Sequence, residues 1–145
     1  GAEFAPDSGQ SSADLAGSYP APPGSAGIAK TADGYLYLPT GAVRKDFAPD
    51  VKPAIQDTIA ATQGPIKAEA FGEKVAHAAW HDKPTWYLLT THDNALKPAI
   101  QERIAKEMGA DLTRIPSGHM SMLSHPDDVA ALIDKAALGI NALHH

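Results

Sequence analysis

Thr85-Trp86-Tyr87-Leu88-Leu89-Thr90-Thr91 is a near-continuous apolar, β-prone run introduced by Pro84. A strand with one wet face alternates polar and apolar residues. This run does not, so it suits a strand buried on both faces of a parallel sheet. Beyond it, Pro98 opens a helix with Ile100, Ile104 and Met108 on one face and Gly109 as its stop. Asp111 to Ile115 reads as a second strand and Pro116-Ser117-Gly118-His119 as a loop. A final helix starts near Pro126 and is expected to bury Val129, Leu132, Ile133 and Ala136. Strand, helix, strand, loop, helix is a βαβα unit, which places the chain in the α/β class with parallel strands and a right-handed crossover.

Two parallel strands with apolar faces are not a self-sufficient sheet. A domain of this length carries about 29 to 36 strand residues, whereas about 16 are convincing in this sequence. The rest of the chain does not make up the deficit. Residues 1–34 hold 6 of the 12 glycines and 4 of the 12 prolines, and Tyr19–Gly27 can sustain neither a helix nor a central strand. A short helix fits Ser12 to Leu15. Tyr35-Leu36-Tyr37-Leu38 reads as a short strand ended by Pro39. Asp50 is a suitable N-cap for a helix over 51–62, with Val51, Ile55 and Ile59 on one face and Gly64-Pro65 as its stop. A further helical piece fits 66–71. Residues 11–80 therefore read as small helices and turns, and residues 81–145 as the βαβα part.

Composition excludes several kinds of function. With 12 Lys and Arg against 17 Asp and Glu, a net charge of −5, there is no broad basic surface for nucleic acid. There is no cysteine, so disulfides, Cys-ligated metals and thiol chemistry are excluded. No apolar run approaches the roughly 18 to 20 residues of a membrane helix, and no basic-then-apolar leader is visible. A soluble chain is expected, the cytoplasm being the favoured compartment. Gly1-Ala2 and His144-His145 read as expression and purification remnants.

Active residues of parallel α/β folds lie just past the carboxyl ends of strands. Those positions are Thr91-His92-Asp93-Asn94 and Ser117-Gly118-His119-Met120. On adjacent strands, Asp93 and His119 would emerge on one rim as a carboxylate beside an imidazole, the orienting half of a catalytic triad. The plainer alternatives are a helix-capping carboxylate and an ordinary loop histidine. His77 and His81 have the i, i+4 spacing of paired metal ligands. However, Ala78 stands where a metalloprotease needs Glu, and no third ligand is near, so no metal is expected.

The stretch Trp80-His81-Asp82-Lys83-Pro84-Thr85-Trp86-Tyr87-Leu88-Leu89-Thr90-Thr91-His92-Asp93, with Pro98 and Gln101 beyond it, resembles the α/β-hydrolase superfamily. It is most similar to small bacterial esterase-like members related to plant methylesterases and hydroxynitrile lyases. Ser117-Gly118-His119-Met120-Ser121-Met122-Leu123-Ser124-His125-Pro126 resembles their catalytic-histidine segment, and Phe4-Ala5-Pro6-Asp7-Ser8-Gly9 the stretch before their lid. The resemblance implies that Asp93 is the triad acid and His119 the base, with no cofactor. Residues 1–10 become the end of a sheet strand and a loop, 11–80 a helical lid, and 81–145 the C-terminal βαβα part of the hydrolase core. Tyr35 and Tyr37 on the lid, and Met120 beside the base, are the candidates for substrate contact. His92 departs from the usual Glu, and Gly118 from the usual Ser, which is expected to loosen the His119 loop.

The superfamily nucleophile is a Ser in a Gly-x-Ser-x-Gly elbow that precedes the acid and the base. None of serines 8, 11, 12, 18, 25, 117, 121 and 124 has Gly at both −2 and +2. Ser121 lies near His119 but lacks an elbow. The resemblance thus implies the C-terminal half of a hydrolase of small carboxylic esters, partnered by an N-terminal half bearing the nucleophile and the missing strands. The alternatives are a non-catalytic binding or homodimerisation module and a lyase on the same scaffold.

Overall fold

The computed structural model describes residues 3–143; the proposed remnants at 1–2 and 144–145 lie outside the described residues. Its parallel unit consists of β4 (Trp86–Thr90), α4 (Pro98–Glu107) and β5 (Asp111–Ile115), followed by α5 (Ser121–Ser124) and α6 (Pro126–Leu143). The two strands pair in parallel from Trp86 opposite Asp111 to Thr90 opposite Ile115. Tyr87 and Leu89 pack with Leu96, Ile100, Ile104 and Ala105 on the α4 side. On the other side, the Trp86 indole lies against Gly139 of α6. The unbroken apolar run is thereby accounted for: Tyr87, Leu88, Leu89 and Thr90 are all buried, with a helix on each face.

The expected burial of α6 is partly corrected. Val129, Leu132 and Ala136 are half-buried, but Ile133 is 63% exposed and Leu138 70%. Among the described residues β4 pairs with β5 alone, so its other edge has no strand. The face of α6 and the free edge of β4 are thus incompletely covered.

Residues 3–10 run as loop and form no strand, contrary to the expected strand end. They are anchored through the Tyr87 hydroxyl, which donates to Glu3 O (2.9 Å) and accepts from Glu3 N–H (3.1 Å). Next come α1 (Ser12–Gly17), capped by a reciprocal Ser11–Asp14 box, and a 3₁₀ turn at Pro23–Gly27. A three-stranded antiparallel sheet then appears where little sheet is expected. It joins β1 (Ala29–Lys30), β2 (Tyr35–Tyr37) and β3 (Ile66–Lys67), in that order. Its outer strands have two residues each, too short to leave a periodic signal. β3 replaces the start of the helical piece expected over 66–71, and a 3₁₀ turn at Ala68–Gly72 takes the remainder.

Between β2 and β3 the chain forms α2 (Thr40–Ala42), a π-helical turn at Val43–Phe47 and α3 (Pro53–Thr62). The π turn is closed by Ala48 N–H donating to Val43 O at 2.7 Å. Asp50 does not cap α3. The N-cap is Lys52, without a side-chain bond, and Pro53 fills the first turn. Val51 and Ile59 pack inward with Val43, Ala48 and Leu38, while Ile55 remains 37% exposed.

Candidate active site

Asp93 follows β4 and His119 follows β5, and parallel pairing brings both to one rim. His119 Nδ1 lies 2.9 Å from Asp93 Oδ2. An ionised carboxylate only accepts, so Nδ1 carries a proton; in the neutral ring Nε2 then keeps its lone pair. The Asp93 side chain is fully buried, whereas His119 is 21% exposed and lines a cavity.

Each Asp93 oxygen has its own set of partners. Oδ1 accepts the N–H groups of Ala95 and Leu96, both at 2.8 Å, closing the turn before α4. Oδ2 accepts from Thr90 Oγ1 (2.8 Å) and Gln101 Nε2 (3.1 Å) as well as from His119. Asp93 therefore closes the turn before α4 and partners His119, but it does not cap the helix, whose N-cap is Lys97. Burial works against its charge, but the His119 bond and charge, the Leu96 N–H and the Thr90 hydroxyl outweigh it. The carboxyl is held below its ordinary value.

Gln101, which carries part of the resemblance without an expected role, holds this arrangement together. It is fully buried on α4, and its Oε1 accepts Thr90 N–H at 3.0 Å. Its Nε2 donates to Leu96 O at 2.7 Å besides Asp93. An amide one turn into a helix opened by proline reaches back to the strand end; a polar residue on the otherwise apolar face Ile100–Ile104 is the signal that marks it.

At Gly118, where loosening is expected, the backbone of the His119 loop is tied to Asp50. Asp50 Oδ2 accepts Gly118 N–H at 2.7 Å and the Ser117 hydroxyl at 3.3 Å. A Cβ at Gly118 would lie 2.7 Å from Asp50 Oδ1, so a side chain there collides with the carboxylate that ties the loop. Burial opposes the Asp50 charge, but Gly118 N–H and the nearby hydroxyls hold its carboxyl below the ordinary value. His92, which departs from the Glu expected there, is exposed.

The cavity has a volume of about 420 Å³ and an apolar lining that includes Phe4, Leu36, Phe47, Ile59 and Phe71. Phe47 stands with its ring centroid 5.0 Å from that of His119. Of the expected substrate contacts, Tyr37 lines the cavity, but Tyr35 and Met120 do not. Tyr35 lies under Lys67 Nζ, 5.8 Å from the ring centroid, and Met120 packs on Val43, Ala48 and Val51. His77 and His81 face Asp82 and Asp7 respectively, in a segment that is not one continuous helix. Among the described residues no group of three or more His, Asp or Glu could hold a metal ion. No described helix is long and apolar enough to cross a membrane.

The model of an alpha/beta hydrolase family matches residues 3–132. Over 88 residues the chain is 34% identical to alpha/beta hydrolase nvfD of Aspergillus novofumigatus, covering 59% of this chain and 35% of that protein. A pyrethroid hydrolase from Sphingobium faniae superposes with a TM-score of 0.65 at 18% identity, over 90% of this chain and 56% of that one. For an extracellular alpha/beta-hydrolase from a Paenibacillus species the TM-score is 0.67 at 22% identity, over 92% and 58%. Polyneuridine aldehyde esterase gives 0.61 at 15% identity, over 74% and 46%. The chain spans about a third of the curated relative and about half of these solved structures. A family match over most of its length, on a fold with parallel strands and flanking helices, makes this chain a member of the alpha/beta hydrolase family.

Proposed function

We propose that this chain supplies the acid and base of a serine hydrolase acting on small carboxylic esters, and that the nucleophile and oxyanion hole lie on a preceding segment. The observation that carries this is the 2.9 Å His119–Asp93 pair, with the carboxylate buried and the imidazole facing an apolar cavity. His119 Nε2 takes the proton of the incoming serine as its oxygen attacks the ester carbonyl, and returns it to the leaving alcohol. Water then repeats the sequence on the acyl-enzyme. Asp93 fixes the tautomer and stabilises the imidazolium. Backbone N–H groups of the preceding segment receive the oxyanion. The residues 11–80 form the cover of the cavity.

The open edge of β4 and the exposed Ile133 and Leu138 of α6 support a missing neighbour. We assign that neighbour to the preceding segment; a second copy of this chain is the competing occupant. The test is hydrolysis of p-nitrophenyl acetate by this chain alone and by this chain joined to a hydrolase segment bearing Gly-x-Ser-x-Gly. Activity is expected only in the joined form, with loss in His119→Ala. Enzyme-like rates from the chain alone would overturn the nucleophile assignment, and an active joined His119→Ala would overturn the triad. A stable homodimer by sedimentation, with no gain on joining, would favour the competing occupant. Screening the joined enzyme on esters and cyanohydrins separates hydrolysis from lyase chemistry.

A further inference from the structure

The cavity lining holds two carboxylates that the triad does not use, the exposed Glu3 and the buried Asp46. Asp46 is 7% exposed and lines the same apolar cavity as His119. It makes no hydrogen bond or ion pair among the described residues, yet no fully enclosed side-chain oxygen there lacks a partner. An oxygen of its carboxylate without a partner therefore keeps some open surface, beside Gly27, where a Cβ would stand 3.7 Å from Oδ2. Of the other polar linings, Ser25 Oγ donates to Pro22 O, Gln63 bonds both the N–H and the C=O of Leu38, and Glu3 Oε1 accepts Phe4 N–H. No Lys or Arg lines the space.

Local backbone geometry delivers Asp46 to this position. It lies in the π turn Val43–Phe47, one residue before the ring that abuts His119, and such turns are frequent at functional sites. The facing 3₁₀ turn makes room for it. A Cβ at Gly24 would stand 3.2 Å from Asp46 Cβ, with Asn94 O at 3.0 Å on its other side.

A carboxylate in an apolar cavity is costly unless it is neutralised by a cation or by strong hydrogen bonds. The surrounding Phe47, Phe71, Tyr37 and Phe4 present aromatic surface, which also attracts cations. We infer that Asp46 is a specificity-determining residue that selects ester substrates carrying a protonated alkylamine. The ester carbonyl lies at His119 and the ammonium group at Asp46. This inference rests on the hydrolase reading above and adds the class of substrate.

The experiment compares two esters of equal shape on the joined enzyme at neutral pH: 3-(dimethylamino)propyl butanoate and 4-methylpentyl butanoate. The amine ester is expected to lead in kcat/KM by about tenfold or more. Asp46→Asn should bring the ratio close to one, and Asp46→Glu should retain part of it. Both esters are measured on one preparation, so loss of folded protein cancels. A ratio near one in the unaltered enzyme overturns the inference, including the case where a basic residue of the preceding segment already neutralises Asp46. A ratio that Asp46→Asn leaves in place does the same. If neither these esters nor p-nitrophenyl acetate is hydrolysed, the hydrolase reading fails, and binding still decides the role of Asp46. In an NMR titration, 3-(dimethylamino)propan-1-ol should then shift the Asp46 and Phe47 amides in the unaltered chain and not in Asp46→Asn. Equal response to 4-methylpentan-1-ol would overturn the inference.

Discussion

On the strand side of His119 the Asp93 carboxylate is surrounded by donors, whereas on the cavity side Asp46 has none. Asp93 is bonded by Thr90, Gln101, His119 and two backbone N–H groups. It sits where two parallel strands end, beside the buried cluster of β4 and α4. Asp46 is carried by a π turn among elements of two to ten residues. The contrast separates two requirements of one site. A group that orients a base must be fixed, and a buried, satisfied network fixes it. A group that selects a ligand must be left with unused bonding capacity.

The strongest test of this contrast acts on the fixed side. In the joined enzyme, Asp93→Asn should lower kcat by about 10⁴ and His119→Ala by about 10⁶, the orders seen when a triad acid or base is removed. Their combination should cost little more than His119→Ala alone, since they act as a unit. A threefold effect of Asp93→Asn would break the comparison. The pH dependence of unfolding adds a sign. The folded Asp93 carboxyl lies below its ordinary value, so its contribution to stability is present above that ordinary value and lost as pH falls through the lowered one. The stability gap between the unaltered protein and Asp93→Asn should therefore be widest near neutrality and close in acid.

Gln101→Leu comes next. It leaves Thr90 N–H and Leu96 O without their buried partners and removes one donor from Asp93. A loss of about 2 to 4 kcal/mol is expected in denaturant unfolding. A loss below about 0.5 kcal/mol would mean that packing alone fixes Asp93.

Gly118→Ala probes the junction of the two sides. Its methyl would meet the Asp50 carboxylate that ties the His119 loop, so kcat should fall by about tenfold with a smaller change in KM. In an Asp50→Ala background the same substitution should have less effect, because the colliding group is gone. Simple additivity would show that Gly118 acts independently of Asp50.

The two regions also differ in how far the sequence reveals them. The Trp86-Tyr87-Leu88-Leu89 run, the proline-opened α4 and the strand Asp111–Ile115 are legible because burial on both faces leaves an unbroken apolar signature. The rim positions of Asp93 and His119 follow from parallel pairing. The two-residue strands β1 and β3 and the π turn have no period to detect. Asp50 is misread as a cap because its partner, Gly118, is 68 residues away in sequence. Tyr35 and Tyr37 look equivalent in sequence, yet only Tyr37 lines the cavity. Ile133 follows the apolar spacing of α6 but is exposed, because spacing identifies a face without identifying what covers it.

The smallest predicted effect concerns how the strand side is joined to the segment ahead of the cavity cover. The Tyr87 hydroxyl on β4 donates to Glu3 O and accepts from Glu3 N–H, joining residues 84 positions apart. Its ring belongs to the core, which Phe can replace, so Tyr87→Phe should cost about 1 kcal/mol through the lost bonds alone. Burial pushes the Tyr87 hydroxyl up to about 12. The raised value in the folded state means that its contribution is complete below about 10 and declines as pH rises toward the folded value. Unfolding curves in alkali should show that decline in the unaltered protein and a flatter limb in Tyr87→Phe. An identical alkaline slope in both would place the Glu3 segment away from β4 in solution, and the strand side would then be fixed by Gln101 and Asp93 without help from residues 3–10.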